Sequence, residues 1–473
     1  MRRIQGSGVR GRRSEVRGRR SVGAALCGGP LCGYPLWRAV AAACLLALAS
    51  GCVTNPITGK QQLSLVGKGE LLTLAKQAVP SQFASDYGVA SDAQANAYVT
   101  QVGRRLVATL KPADVVYPDM PFSFQVVNAV YINAYAFPDG TIAITRGMLA
   151  ELENEAQLAA VLGHEIAHVN CGHTASAMSK GTVLGALVSG TSGYLASQGS
   201  SWADLAATAG QLGSAVVLAR YSRDQERQAD QGGLLYMVRA GYDPQGMVDL
   251  MQLLVRISGA NPSLLEQMFS SHPMSAERLQ AAQARIQSEY AGQNVGKNGQ
   301  AAFLAATANI RKSKPALKQF AAAEGQLAQK QFAAAQSSAE QGLRLAPNDY
   351  VGLMLVAQAC QQGGNLAGAQ KAAALAARVS PAGARAQGVL AQCALQNKDY
   401  AAALTHLDAF ERLVPGDTRT PFYKGLAYEG KGQKQQAAQA YQNFVRRGGT
   451  SSTEGQYAAQ RLQQLAPQPA AAR

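Results

Sequence analysis

Between Asn154 and Gly172 the apolar positions recur with a helical period. Leu158, Leu162, Ile166 and Val169 form one stripe, Asn154 and Gln157 make a capping-box-like start, and Gly172 is a natural stop. The helix is apolar on several sides, which predicts a buried element. Just before it the period changes to two. F-S-F-Q-V-V (122–127) and T-I-A-I-T (141–145) read as strands, and Pro138-Asp139-Gly140 reads as a turn leading into the second. A second long helical pattern runs from about Trp202 to Ala240. The stretch between, Lys180–Ser200, is too broken by Gly and Ser for a membrane span.

Beyond Y-A-G-Q-N-V-G-K-N (290–298), which reads as a linker, the composition shifts to Ala, Gln and Leu. Pro347, Pro381 and Pro415 recur at 34-residue spacing, with Gly449 in the fourth place. Ala335, Ala369, Ala403 and Ala437 keep the same interval. Each unit reads as two amphipathic helices, closely packed at the alanine and ended by the proline. The period resembles tetratricopeptide (TPR) repeats. Four units are expected over Pro315–Gly449, with Gly455–Leu465 as a capping helix. The domain reading is therefore a leader over 1–51, a catalytic domain over 52–290, a linker over 291–314, repeats with their cap over 315–465 and a tail over 466–473.

Charge alters this picture little. The net charge is +15, but residues 1–38 hold nine arginines and one glutamate, so the rest of the chain carries only about half of it. No nucleic-acid partner is expected. The basic head precedes an apolar run, Ala39–Ala49, of signal-peptide length and too short to span a bilayer. Ser50-Gly51-Cys52 follows and resembles a bacterial lipobox, although Ala49 stands where leucine is usual. Cys52 is then the expected lipidated residue, and Asn55 soon after it resembles lipoproteins sent to the outer membrane. An oxidising compartment permits a Cys360–Cys393 bridge, but two buried small apolar side chains are the favoured reading.

The candidate chemistry is H-E-I-A-H (164–168). Two imidazoles four apart share one helix face and can reach a single zinc ion. Glu165 points aside from the metal yet can reach a water bound to it, which suits a general base. A catalytic zinc needs a third protein ligand and an open position. His173 fails on register: it is nine residues after His164, about half a turn away on a continuing helix, and is expected as a surface or packing residue. Y-S-R-D-Q-E-R-Q-A-D (221–230) offers Glu226, Asp224 or Asp230 instead; Asp230 could otherwise fix a histidine tautomer from behind.

Four segments then occur in a telling order: N-A-Y-A-F-P-D-G-T-I-A-I-T-R-G-M-L, E-A-Q-L-A-A-V-L-G-H-E-I-A-H-V, R-Y-S-R-D-Q-E-R-Q-A-D and S-H-P-M-S-A-E-R-L. Together they resemble the HtpX-like and CAAX-prenyl-protease-like zinc metallopeptidases (gluzincins), nearest to the soluble, TPR-bearing periplasmic branch (BepA-like). F-P-D-G in place of a turn with a second glycine, and Gly172 in place of a common arginine, depart from the family pattern. The resemblance implies an α+β, mainly helical zincin-type domain with a small sheet, followed by an all-α TPR solenoid. It implies one zinc per chain held by His164, His168 and Glu226, Glu165 as general base and Asp230 behind the ligands. It gives His272 a role as oxyanion stabiliser or fourth ligand, accompanied by Arg278. It also makes Thr141–Thr145 the edge strand that receives an extended peptide through Ile142, Ala143 and Ile144, with Asn133 and Ala134 nearby. The implied function is envelope proteolysis of misfolded or stalled outer-membrane proteins. The implied setting is the periplasm, anchored to the outer membrane, with clients or the barrel-assembly machinery on the repeats. A TPR scaffold or chaperone lipoprotein with a latent or vestigial site is the alternative.

Overall fold

The computed structural model describes residues 52–188, 221–260, 262–291, 297–447 and 452–465. The expected leader, most of the Gly/Ser-rich stretch, the start of the Trp202–Ala240 pattern and the tail lie outside these residues. The described chain opens on a hairpin, β1 (Cys52–Thr54) antiparallel to β2 (Gln61–Leu63). Asn55 turns it by accepting the N–H groups of Ile57 and Thr58, each at 3.0 Å. Helices α1 (Lys68–Ser85) and α2 (Ala93–Val107) follow.

The small sheet comes next, with β3 (Ser123–Val127), β4 (Ala134–Ala136) and β5 (Thr141–Thr145) in the spatial order β3-β5-β4. β5 is parallel to β3 and antiparallel to β4. This corrects the expectation that Thr141–Thr145 is an edge strand. Its backbone is paired on both sides, and Ile142, Ala143 and Ile144 are fully buried, so none of the three can receive a peptide. The edge is β4, a three-residue strand returning through the Pro138-Asp139-Gly140 turn. Gly140 takes a φ of 89° there, and Asp139 accepts the Thr141 N–H at 3.0 Å.

α3 (Arg146–Glu151) leads to α4 (Glu155–Asn170). Asn154 caps α4 by accepting the Gln157 N–H at 2.9 Å, and every residue of the helix is buried. Gly172, at φ 62°, breaks it in the left-handed conformation that glycine adopts without cost, and α5 (His173–Val188) sets off in a new direction. After the undescribed segment, α6 (Arg223–Arg239) starts at a capping box formed by Ser222 and Gln225, rather than continuing a helix from Trp202. α7 (Gln245–Ala260), α8 (Glu266–Ser271) and α9 (Ala276–Glu289) complete this part.

The stretch expected as a linker is largely helical: α10 (Gln300–Ala306) and α11 (Ala308–Lys312). Phe303, Thr307 and Ile310 are buried, and burying the phenylalanine alone contributes about 2 kcal/mol. Eight further helices form four antiparallel pairs: α12 (Lys314–Ala328) with α13 (Phe332–Leu345), α14 (Tyr350–Gln362) with α15 (Leu366–Val379), α16 (Ala384–Gln396) with α17 (Tyr400–Leu413), and α18 (Thr420–Gly430) with α19 (Lys434–Arg446). α20 (Thr453–Leu465) packs on the last pair. Ala335, Ala369, Ala403 and Ala437 are fully buried where the paired helices meet. Cys171, Cys360 and Cys393 are buried free thiols.

The fold is thus α+β and mainly helical, followed by an all-α solenoid. One apolar core runs from α2 and the sheet through α4 and α6 into the first helix pairs of the solenoid. Arg146 and Asp349 seal the junction at 2.6 and 3.2 Å, and Lys314 pairs with Glu151 at 2.7 Å. Among the described residues, no helix is long and apolar enough to cross a membrane.

Candidate active site

The site lies where α4 crosses α6. Glycine on both helices permits the approach: a Cβ on Gly163 would lie 3.2 Å from the Gly233 carbonyl oxygen, and one on Gly232 only 2.8 Å from the Ala167 Cβ. Such closeness brings the first turn of α6 over the face of α4 that carries His164 and His168.

Four donor groups converge there. His164 Nε2 and His168 Nε2 are 3.0 Å apart, and Glu226 reaches them at 3.5 and 3.4 Å. His272, from the turn after α8, places Nδ1 3.1 Å from Glu226 and 3.4 Å from His164 Nε2. Ligand atoms of His164, His168, Glu226 and His272 all lie within 4.8 Å of one another, and all four residues are buried. Asp224 is elsewhere, exposed and paired with Arg227. Asp230 sits behind His164, its Oδ1 3.0 Å from His164 Nδ1. Arg278 grips Asp230 with Nε and Nη2, both at 2.7 Å, and reaches Glu226 with Nη1 at 2.7 Å.

His173 is not a surface residue. It is fully buried, and its Nδ1 lies 2.9 Å from His168 Nδ1 while its Nε2 meets Gln228 Oε1 at 2.9 Å. The break at Gly172 cancels the half-turn offset and brings the ring back behind His168. Tyr221, which the sequence did not single out, stacks on the His168 ring at 3.8 Å between centroids. Its only sequence signal is its place just before the Ser222 cap of α6.

The electrostatics call for a cation. Burial opposes charging His164, but its hydrogen bonds to Asp230 and Glu226 outweigh it and raise the pKa to about 10. Burial also opposes ionising Glu226, yet His272 and its hydrogen bonds to His164 and His168 hold the carboxyl well below the usual carboxylate range. Desolvation lowers His168 far below an ordinary histidine and His173 to about 4, leaving both rings neutral. Asp230 is held low by Arg278 against the cost of its burial. A zinc ion that displaces the His164 proton would meet two imidazoles and an ionised carboxylate, with a third imidazole at hand, a donor set that suits it.

Glu165 stands beside this set and differs from it. Its Oε1 lies 3.8 Å from His272 Nε2, its Oε2 is buried without a hydrogen-bond partner, and desolvation raises its pKa. The Ala136 backbone N–H donates to its carboxylate. In the β4–β5 ladder, Thr145 N–H donates to Asn133 O at 2.9 Å and Phe137 N–H to Thr141 O at 2.7 Å. Alternate residues of β4 therefore face β5, and Ala134 and Ala136 turn their backbone groups outward. Ala134 lines a cleft with Glu165 and His272, and the buried Asn133 Oδ1 beside it lacks a partner. Of the residues expected to touch a peptide, Asn133 and Ala134 lie at the site; Ile142, Ala143 and Ile144 do not. Cys52 is exposed at the start of β1.

Comparison with known proteins agrees with this geometry. The profile of peptidase family M48 matches residues 88–286. The chain is 33% identical over 191 residues to the beta-barrel assembly-enhancing protease of Yersinia pestis, covering 40% of this chain and 38% of that one. It is 30% identical over 249 residues to the protein of that name from Escherichia coli K12, covering 50% and 48%. Against metalloprotease YcaL of Escherichia coli K12 it is 30% identical over 192 residues, covering 40% of this chain and 72% of the relative. The chain spans about half or less of the length of the first two. With a profile that spans the sheet, both helices of the donor cluster and the His272 turn, and a relative matched over most of its length, the chain belongs to peptidase family M48.

Proposed function

We propose that this protein is a zinc-dependent endopeptidase of the bacterial cell envelope that cleaves extended segments of misfolded or stalled outer-membrane proteins. The observation that carries the peptidase reading is Glu165: a buried carboxyl with an unpartnered oxygen, set between the four-donor cluster and β4, which ladders with β5 on one side only. In this reading His164, His168 and Glu226 hold the ion. Zinc bound there would supply Lewis acidity toward a scissile carbonyl and an attacking water. The chain's own residues do the rest. Ala134 pairs its outward N–H and C=O with a peptide laid along β4, and Asn133 accepts a further peptide N–H, so a client is held by backbone more than by side chains. Glu165, raised by burial, takes the water's proton and returns it to the leaving amine. Asp230, fixed by Arg278, holds the His164 tautomer.

The envelope setting draws on the names of the relatives, beta-barrel assembly-enhancing proteases, and on the lipobox-like Ser50-Gly51-Cys52. In this reading the protein works in the periplasm, anchored to the outer membrane through Cys52, with the solenoid holding clients or the barrel-assembly machinery. The closeness of His272 to Glu226 favours a second reading of the resting state, in which His272 completes the ligand set and must withdraw before a substrate enters. Glu165→Gln tests the central reading. The variant is expected to bind zinc at wild-type stoichiometry while casein cleavage falls by at least about a hundredfold, since it loses the general base; near-normal cleavage would refute it.

A further inference from the structure

The 34-residue period recurs in a residue that the peptidase reading does not use. Arg344, Arg378, Arg412 and Arg446 stand at the same register of the four helix pairs. Each lies in the last turn of the second helix of its pair, on α13, α15, α17 and α19, and each is exposed. Each follows the fully buried alanine of its helix by nine residues and so points away from the partner helix.

A cation at a helix C-terminus has an ordinary explanation, because it offsets the macrodipole. That does not account for the pattern. The first helices of the same pairs, α12, α14, α16 and α18, carry no basic residue in their last turns. Nor are these arginines absorbed by nearby acids. Asp408 and Glu411, within a turn of Arg412, are drawn to Lys424 at 2.7 and 2.5 Å. Glu340 accepts from Gln336, and Asp349 is taken by Arg146. Among the described residues the four form no ion pair; Arg446 donates to the neutral Asn443. Beside three of them the next residue is apolar and at least partly exposed: Leu345 at 60%, Val379 at 36%, and Leu413.

We infer that this ladder is a docking surface for an extended acidic segment of a protein partner, with apolar residues between its carboxylates. The rung helices pack through the first helix of the next pair, so successive rungs lie between one and two helix spacings apart, about 10–20 Å, which about three to six residues of extended chain span at ~3.3 Å each. A line of evenly spaced guanidinium groups complements a linear polyanion better than a plane of charge, and between residues 315 and 465 fifteen Lys and Arg face nine Asp and Glu. The first rung, Arg344, precedes by five residues the Asp349 that clasps Arg146 immediately after β5. A chain held on the ladder therefore begins at the junction with the sheet. The inference rests on the reading that the solenoid holds clients, and supplies their chemistry.

The test is fluorescence anisotropy with the full chain carrying Glu165→Gln, so that the probe survives. The probe is a labelled peptide of repeated Glu-Leu-Ser triplets, long enough to cover all four rungs, beside its Gln-Leu-Ser counterpart and phosphatidylglycerol vesicles. We expect salt-sensitive binding of the glutamate peptide. It should weaken about fifteenfold when all four arginines become glutamine, as four exposed charge contacts of about twofold each imply. It should hold within about twofold when they become lysine or when Lys330, Lys371, Lys398 and Lys431 become glutamine instead. Equal affinity for the two peptides, or equal losses in the arginine and lysine sets, would overturn the ladder and leave client holding intact. Binding of neither peptide would overturn both, and binding of vesicles alone would replace the partner with a membrane surface.

Discussion

Glu165 and Glu226 are carboxyls of one buried site that the protein treats in opposite ways. Burial wins at Glu165, whose pKa rises, while histidines win at Glu226, which stays ionised. In the proposed mechanism a proton carrier and an anionic ligand thus arise from the same side chain. The distinction depends on what stands behind each group. Asp230 is the clearest support: it accepts both Arg278 contacts and meets His164 Nδ1, leaving Nε2 to face the cluster. Asp230→Asn keeps the shape but removes the charge, so Arg278 loses an ion pair and His164 its strongest orienting contact. Zinc affinity, measured by competition with a chromogenic chelator, should fall by about 10–100-fold; an unchanged affinity would show that Asp230 does not orient the ligand. The Asp230 position was legible in the sequence because i and i+4 on a helix share a face. The place of His173 was not, because a helix register says nothing once a left-handed glycine redirects the chain.

At the level of elements, the long ones declared themselves and the short ones did not. α4 was legible from its cap, stripe and terminal glycine, and the helix pairs were legible from their 34-residue period. β4 is A-Y-A, too short to show a period of two, so nothing in the sequence counters the edge role that the family resemblance implies for β5. α10 and α11 follow a run rich in Gly and Asn, and only their burial against the catalytic part gives them order. The α4–α6 crossing had a signal that was passed over, the Gly232-Gly233 pair. Gly232→Ala tests its importance. The new Cβ would sit 2.8 Å from that of Ala167, an atom with no rotamer to escape through, so the helices must part. Overpacking of this kind costs about 1–3 kcal/mol. The expected result is a lower Tm together with weaker zinc binding, because Glu226 moves with α6. A variant with wild-type values for both would mean that the crossing does not set the metal site.

For the whole molecule, the question is how tightly the solenoid is bound to the catalytic part, and the junction holds two kinds of charge. Arg146–Asp349 is a matched pair, buried on both sides, and removing either partner would strand the other. The second cluster is not matched in this way. Asp86 accepts the hydroxyls of Tyr131 and Tyr135, the two tyrosines around the β4 edge, and Glu324 of the solenoid is hydrogen-bonded to Tyr87. The Arg385 guanidinium lies 4.2 Å from the Tyr87 ring centroid and serves both acids. Arg385 serves both carboxyls in a desolvated place and Arg146 also acts on Glu324, yet the pKa of each acid is raised, by burial first. The folded state then binds more protons than the unfolded state as the pH climbs above the ordinary carboxyl value of 4.5 for Glu324. Stability from the Glu324 carboxyl is full well below that value and is lost as the pH rises through the folded pKa, and Asp86 follows the same course from its lower ordinary value of 3.8. Glu324→Gln removes one of the two charges and keeps an acceptor for Tyr87. Its Tm should equal that of the wild type well below pH 4.5, where Glu324 is protonated in the folded and the unfolded chain alike, and should exceed it increasingly toward about pH 7. A variant that loses stability on that approach would mean that the Arg385–Glu324 attraction outweighs desolvation, and that the junction is held by ion pairs throughout.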